Sequence, residues 1–115
     1  MARISKSRLF AATTSSLIAV ASPAMSNVVW SNKLVSSIQS YYDGADCFYF
    51  KLQGVTVADP MTPGNAWFAI ARSQYGARDA LSTLIAAKLS GATVMVETRG
   101  TVVCGLASVA QVILE

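Results

Sequence analysis

The stretch "GARDALSTLIAAKLSGATVMVE", residues 76–97, changes its hydrophobic period halfway along. In its first part, large apolar residues recur at helical spacing and would form one stripe: Leu81, Leu84, Ile85 and Leu89. Gly91 suits the left-handed residue that ends a helix. The letters after it, "ATVMVET", alternate between apolar and polar in the manner of a strand. This stretch therefore predicts a helix that packs on a sheet and leads directly into a strand.

The flanking sequence has the composition and turn residues of strands. "CFYFKLQ" alternates strictly, with Phe48 and Phe50 on one side and Cys47 and Tyr49 on the other. A proline-rich loop is predicted after it, because proline cannot donate to a strand ladder. The predicted strands are a long, bent first strand over 27–42, followed by 46–53, 66–71, 92–98 and 106–115. With the helix, they predict a mainly β fold of class α+β: an OB-fold-like five-stranded barrel in the order β-β-β-α-β-β.

The first 26 residues have the three parts of a secretory signal peptide. A basic start precedes the uncharged stretch 9–21, which is too short to cross a ~30 Å hydrocarbon core. Small residues follow and predict cleavage after Ser26, with Ala21 and Ala24 as alternative sites; an uncleaved anchor is the competing interpretation. We therefore expect an exported protein, periplasmic or secreted, whose mature chain 27–115 is one OB-like domain without a membrane span.

Charge and cysteine content narrow the function further. Residues 27–115 carry six basic and six acidic side chains, so their net charge is zero and a nucleic-acid partner is not expected. Cys47 and Cys104 are the only cysteines, and export predicts a disulfide between them. In the chain-entropy model, closing a loop of roughly 58 residues is worth about 4 kcal/mol. Two buried thiols are the alternative; a metal site is not expected, since the chain has no histidine.

Four segments together resemble a known family: "CFYFKLQG", "WFAI", "ALSTLIAAKLSGATVMVET" and "CGLASVAQVIL". Their layout is similar to that of the B subunits of subtilase-cytotoxin and related pertussis-like toxins, and to small uncharacterised bacterial exported proteins. The resemblance implies a ring-forming homo-oligomer, commonly a pentamer, that recognises a glycan or another cell-surface partner. In that family a sugar-contacting serine follows an apolar residue, as Ser31 follows Trp30 here. Thr98 stands where the family has a tyrosine that helps to hold the sugar.

Catalysis is not expected, because the chain lacks histidine and its two thiols are predicted to be joined. We therefore predict a binding or assembly module that is not an enzyme and needs no cofactor. The candidate ligand-binding residues are Ser31, Tyr41 and Tyr42, since tyrosine offers a flat, partly polar surface. The competing interpretation is that Trp30, Trp67 and one tyrosine fill the core. Two alternatives remain for the function: a small exported protein that shares only the scaffold, and an inhibitor or chaperone of a secreted enzyme.

Overall fold

The computed structural model describes residues 27–115, and the predicted signal peptide, residues 1–26, lies outside the described residues. The structure is mainly β, with one helix and one mixed sheet of six strands. The elements in chain order are β1 (Val29–Lys33), β2 (Val35–Gln39), β3 (Cys47–Leu52), β4 (Phe68–Ala71), α1 (Ala77–Ser90), β5 (Val94–Val103) and β6 (Leu106–Leu114).

The order of strands across the sheet is β1-β5-β6-β4-β3-β2. All neighbours are antiparallel except β4 and β6, which pair in parallel. No ladder joins β1 to β2 in the described chain, so the sheet is not closed. Yet its two edge strands are consecutive in the chain and only Leu34 separates them. The sheet must therefore curl until its edges meet at this residue.

The structure differs from the prediction in the number of strands, because the first predicted strand is divided into β1 and β2. Asn32 has a φ of 56°, in the left-handed region, and the register with β5 shifts between Trp30 and Lys33. Asparagine tolerates this backbone conformation better than most residues. The irregularity turns the chain from one edge of the sheet to the other, so one predicted strand supplies both edges.

The hairpin of β5 and β6 is longer than the sequence predicts, because β5 continues from Thr98 to Val103. Only Cys104 and Gly105 connect the two strands, with φ values of 50° and 77°. Two positive φ values in a two-residue connection are what a type I′ hairpin turn requires. A cysteine therefore occupies a backbone conformation that usually belongs to asparagine, aspartate or glycine.

The core lies between the concave face of the sheet and α1. Phe50 and Phe68 stack with ring centroids 4.9 Å apart, and Phe48 is buried beside them. The predicted alternation of the second strand is confirmed, since Phe48, Phe50 and Leu52 are all buried in this cluster. Three large rings thus fill the space that the curled sheet encloses.

Helix α1 lies against β6 and β2, and it ends at Gly91 as predicted. Gly91 has a φ of 74°, and its N–H donates to the Ala87 carbonyl over 2.9 Å. The helix buries Ala77, Leu84 and Ala87. The predicted apolar stripe is wrong for Ile85 and Leu89, which are exposed, because the contact face is centred on the two alanines and Leu84.

The predicted disulfide between Cys47 and Cys104 is confirmed. It joins the first residue of β3 to the turn of the β5–β6 hairpin, with the two Cα atoms 6.6 Å apart. The cysteines are separated by 57 positions, and closing a loop of that size in the unfolded chain corresponds to about 4 kcal/mol of stabilisation. For a domain this small, that is a large part of the free energy of unfolding.

Buried polar contacts tie the connection between β3 and β4 to the opposite edge of the sheet. The Asp59 carboxylate accepts hydrogen bonds from the Thr98 hydroxyl and from the Met61 backbone N–H. The same hydroxyl accepts from the N–H of Val28 over 3.0 Å, and the Trp30 indole donates to the Ala58 carbonyl over 2.9 Å. Asp59 and Thr98 are both fully buried, so these hydrogen bonds within the protein replace those that water would make.

We predict that Thr98→Val lowers the free energy of unfolding by about 1–3 kcal/mol, because it leaves a buried Asp59 oxygen without its donor. Thr101→Val is the matched control, since Thr101 is exposed on the same strand. Urea unfolding of the oxidised protein measures both variants. If Thr98→Val were as stable as Thr101→Val, the Asp59–Thr98 contact would not anchor the connection.

Candidate functional site

A second, smaller cluster lies on the outer face of the sheet, opposite the core. Cys47, Tyr49 and Ala69 are buried there, and Trp67 and Leu106 pack against them. Strand alternation explains the division, because neighbouring residues of β3 point to opposite faces of the sheet. The phenylalanines of β3 therefore go to the core, while Cys47 and Tyr49 build a separate surface.

This surface forms a groove of about 280 Å³ at one end of the sheet. Its lining comes from the end of β2, the segment before β3, β3 itself, the residue before β4, the hairpin turn and the start of β6: Gln39, Tyr42, Tyr49, Trp67, Cys104, Gly105 and Leu106. Three of these residues are aromatic, and Gln39 supplies an amide. The groove can therefore offer flat apolar surfaces together with hydrogen-bond donors and acceptors.

The aromatic side chains of the groove differ in how firmly they are held. Tyr49 is only 7% exposed, and the exposed Tyr42 meets it edge to face, with ring centroids 6.5 Å apart. The Lys51 ammonium lies 4.9 Å from the centre of the Trp67 ring, which is within cation–π distance. Tyr49 and Trp67 thus form a fixed base, while Tyr42 stands at the rim with 58% of its surface exposed.

The disulfide makes the hairpin turn a permanent wall of this groove. Cys47 is completely buried at its base, whereas Cys104 is exposed and belongs to the lining. The bond thereby holds the two-residue turn against β3. A loop held in this way loses little conformational freedom when a ligand binds, which lowers the entropic cost of binding.

The structure separates the three predicted ligand-binding residues. Tyr42 lines the groove, but Tyr41 does not: it is 70% exposed, and its hydroxyl donates to Asp43 over 3.1 Å. Ser31 is exposed on β1 and also lies outside the groove lining. Thr98 is buried beneath the surface, so a ligand has no access to it.

Gln39, Tyr49 and Trp67 line the groove but are not among the predicted ligand-binding residues. Alternation in "CFYFKLQ" places Tyr49 on the face away from the core, and this is the sequence signal for its role. For Trp67, nothing in the local sequence distinguishes a core residue from a groove residue. Trp30 does pack against the core, in agreement with the competing interpretation of that tryptophan.

A polar cluster lies on the outer face where β1, β5 and β6 run side by side. Glu97 accepts hydrogen bonds from the Asn27 amide over 3.0 Å and from the Gln111 amide over 2.7 Å. These two hydrogen bonds, that of Asn27 foremost, lower the pKa of Glu97. The cluster links the start of the described chain to the hairpin.

We predict that Gln111→Ala raises the pKa of Glu97, because it removes one hydrogen bond to the charged carboxylate. Because the pKa of Glu97 is lower in the folded protein, its ionised carboxylate stabilises the fold at pH values above the ordinary glutamate pKa of 4.5. This stabilisation is lost as the pH falls through the folded-state pKa. An NMR titration of the Glu97 carboxyl carbon measures the change, with Gln53→Ala as the control. An unchanged pKa in Gln111→Ala would rule out this contribution.

Within residues 27–115 there is no group of three or more side chains arranged to hold a metal ion, and no helix is long and apolar enough to cross a membrane. Comparison with known proteins finds no family profile and no curated protein that matches this chain.

Proposed function

We propose that the domain is of the OB-fold type, with β1 and β2 acting as one bent strand. Counted in this way, the chain order is strand, strand, strand, helix, strand, strand, as in that fold. The strand order across the sheet supports the proposal, because the bent strand lies at both edges. The parallel pairing of β4 with β6 then joins the third strand to the fifth.

One observation carries the functional proposal: the groove lies where OB folds bind their ligands. Those ligands bind on the face of the second and third strands, between the loop that follows the first strand and the loop that joins the fourth and fifth. The corresponding parts of this chain are β3, β4, segment 40–46 and the turn 104–105. Tyr49 belongs to β3, Tyr42 to segment 40–46 and Cys104 to the turn, and Trp67 directly precedes β4. All four residues line the groove.

We propose that this exported protein is a binding module without enzymatic activity that holds a glycan in the groove. Sugar rings have apolar faces that stack on aromatic side chains, and Trp67 and Tyr42 supply such surfaces. The Gln39 amide and the Tyr42 hydroxyl can bond to sugar hydroxyls. A volume of about 280 Å³ is at the small end for ligand pockets, which favours one or two sugar units.

We further propose that copies of the chain assemble into a homo-oligomer, a pentamer by resemblance to the toxin B subunits. Support comes from Ile85 and Leu89, which lie one turn apart on α1 and are exposed, Leu89 to 82%. Adjacent exposed apolar residues on a helix are typical of contact surfaces. A small exported protein that shares only the scaffold would need neither the assembly nor the glycan.

We expect Tyr42→Ala to weaken glycan binding by about tenfold, because it removes the aromatic surface at the rim of the groove. Tyr41→Ala is the matched control: Tyr41 is adjacent in sequence, is also exposed and does not line the groove. A glycan array finds the ligand, and calorimetry with the strongest hit measures both variants. No hit on the array, or equal losses in the two variants, would contradict the proposed site.

The assembly is tested by size-exclusion chromatography with multi-angle light scattering. We expect a multiple of the protomer mass for the unmodified protein and a smaller mass for Leu89→Ser, which removes an apolar contact. Met61→Ser is the control, because Met61 is exposed in the connection between β3 and β4. A monomeric mass for the unmodified protein would contradict the assembly and, with an empty glycan array, would favour the scaffold-only alternative.

A further inference from the structure

A second pocket, of about 200 Å³, lies where the end of β4 leads into the start of α1. Five residues line it, of which two are arginines and three are apolar: Phe48, Arg72, Ala77, Arg78 and Leu81. Phe48 points to the core face of β3, whereas the aromatic groove is on the other face. The pocket is therefore separate from the proposed glycan site.

The two charged side chains that line this pocket are both positive. Arg72 and Arg78 are both exposed, and no carboxylate belongs to its lining. Asp79, the acidic residue next to Arg78, lines a different groove on the side of α1 that faces β6. Two guanidinium groups at one pocket repel each other, so an anion between them would relieve the repulsion and bond to both.

The walls of the pocket strengthen such an interaction. Phe48 is 1% exposed and Leu81 is half-buried, so one side of the bound group would contact apolar surface instead of water. Electrostatic attraction increases where water is excluded. Arginine also presents its N–H groups as a planar fork, which matches the oxygens of a phosphate or sulfate group.

We propose that Arg72 and Arg78 form a binding site for a tetrahedral oxyanion, a phosphate or sulfate group. Arg78 lies in the first turn of α1, and Arg72 lines the same pocket as Ala77, the first residue of the helix. The positive end of the helix adds a favourable field, part of which Asp79 in the same turn offsets. The group can be a free ion or part of a larger molecule, such as a sulfated sugar or a lipid headgroup. The chemistry of recognition is the same in each case.

The test is a titration of the oxidised protein with inorganic phosphate at constant ionic strength, followed by NMR chemical shifts. We expect saturable shifts around the pocket and an affinity at least about tenfold lower in Arg72→Gln/Arg78→Gln, since charged hydrogen bonds are lost. Lys88→Gln is the matched control, because it removes one positive charge at the other end of α1. We expect it to bind phosphate as the unmodified protein does.

Thermal unfolding checks that the double variant is folded. If both arginines contribute, the single variants Arg72→Gln and Arg78→Gln have phosphate affinities between those of the unmodified protein and the double variant. Titrations with a sulfated monosaccharide and with vesicles containing phosphatidylglycerol distinguish the possible sources of the oxyanion. Tighter binding to either of them than to phosphate identifies that molecule as the source.

Absence of saturable phosphate binding by the unmodified protein would overturn the proposal. Equal phosphate affinity in the folded double variant would also overturn it. Neither result depends on glycan binding at the aromatic groove.

Discussion

The bend between β1 and β2 is the constraint on which the rest of the structure depends. Because a single residue, Leu34, separates strands at opposite edges of the sheet, those edges must come together there. The left-handed backbone of Asn32 begins the bend. The curl that results creates an inside, which the three phenylalanines and Leu84 fill, and an outside that is free to carry function.

Strand β3 shows how one short segment serves both sides of this curled sheet. Its phenylalanines stabilise the fold, while Cys47 and Tyr49, on the alternate positions, form the base of the aromatic groove. The disulfide then attaches the hairpin turn at Cys104 to that base. Most of the groove is consequently held by the same contacts that hold the domain, and Tyr42 is its most exposed aromatic residue.

The position of Thr98 bears on how a glycan would bind. The resemblance to toxin B subunits predicted from the sequence would place at this position a tyrosine that helps to hold the sugar. Here Thr98 is buried and bonds to Asp59, so it secures the connection between β3 and β4. The aromatic surface of this chain lies instead on β3 and on the segments that directly precede β3 and β4. The proposed site therefore uses a different part of the domain from that tyrosine.

Local patterns in the sequence determined the helix, its end at Gly91, the faces of β3 and the pairing of the two cysteines. Each depends on spacing within a few residues, or on there being only two cysteines to pair. Tertiary structure alone decided the division of the first strand and the extension of β5 to Val103, because a left-handed asparagine and pairing with β6 have no clear local signal. It also decided the groove and the arginine pocket. Their residues are far apart in the chain, from Gln39 to Leu106 and from Phe48 to Leu81, and only the curled sheet brings them together.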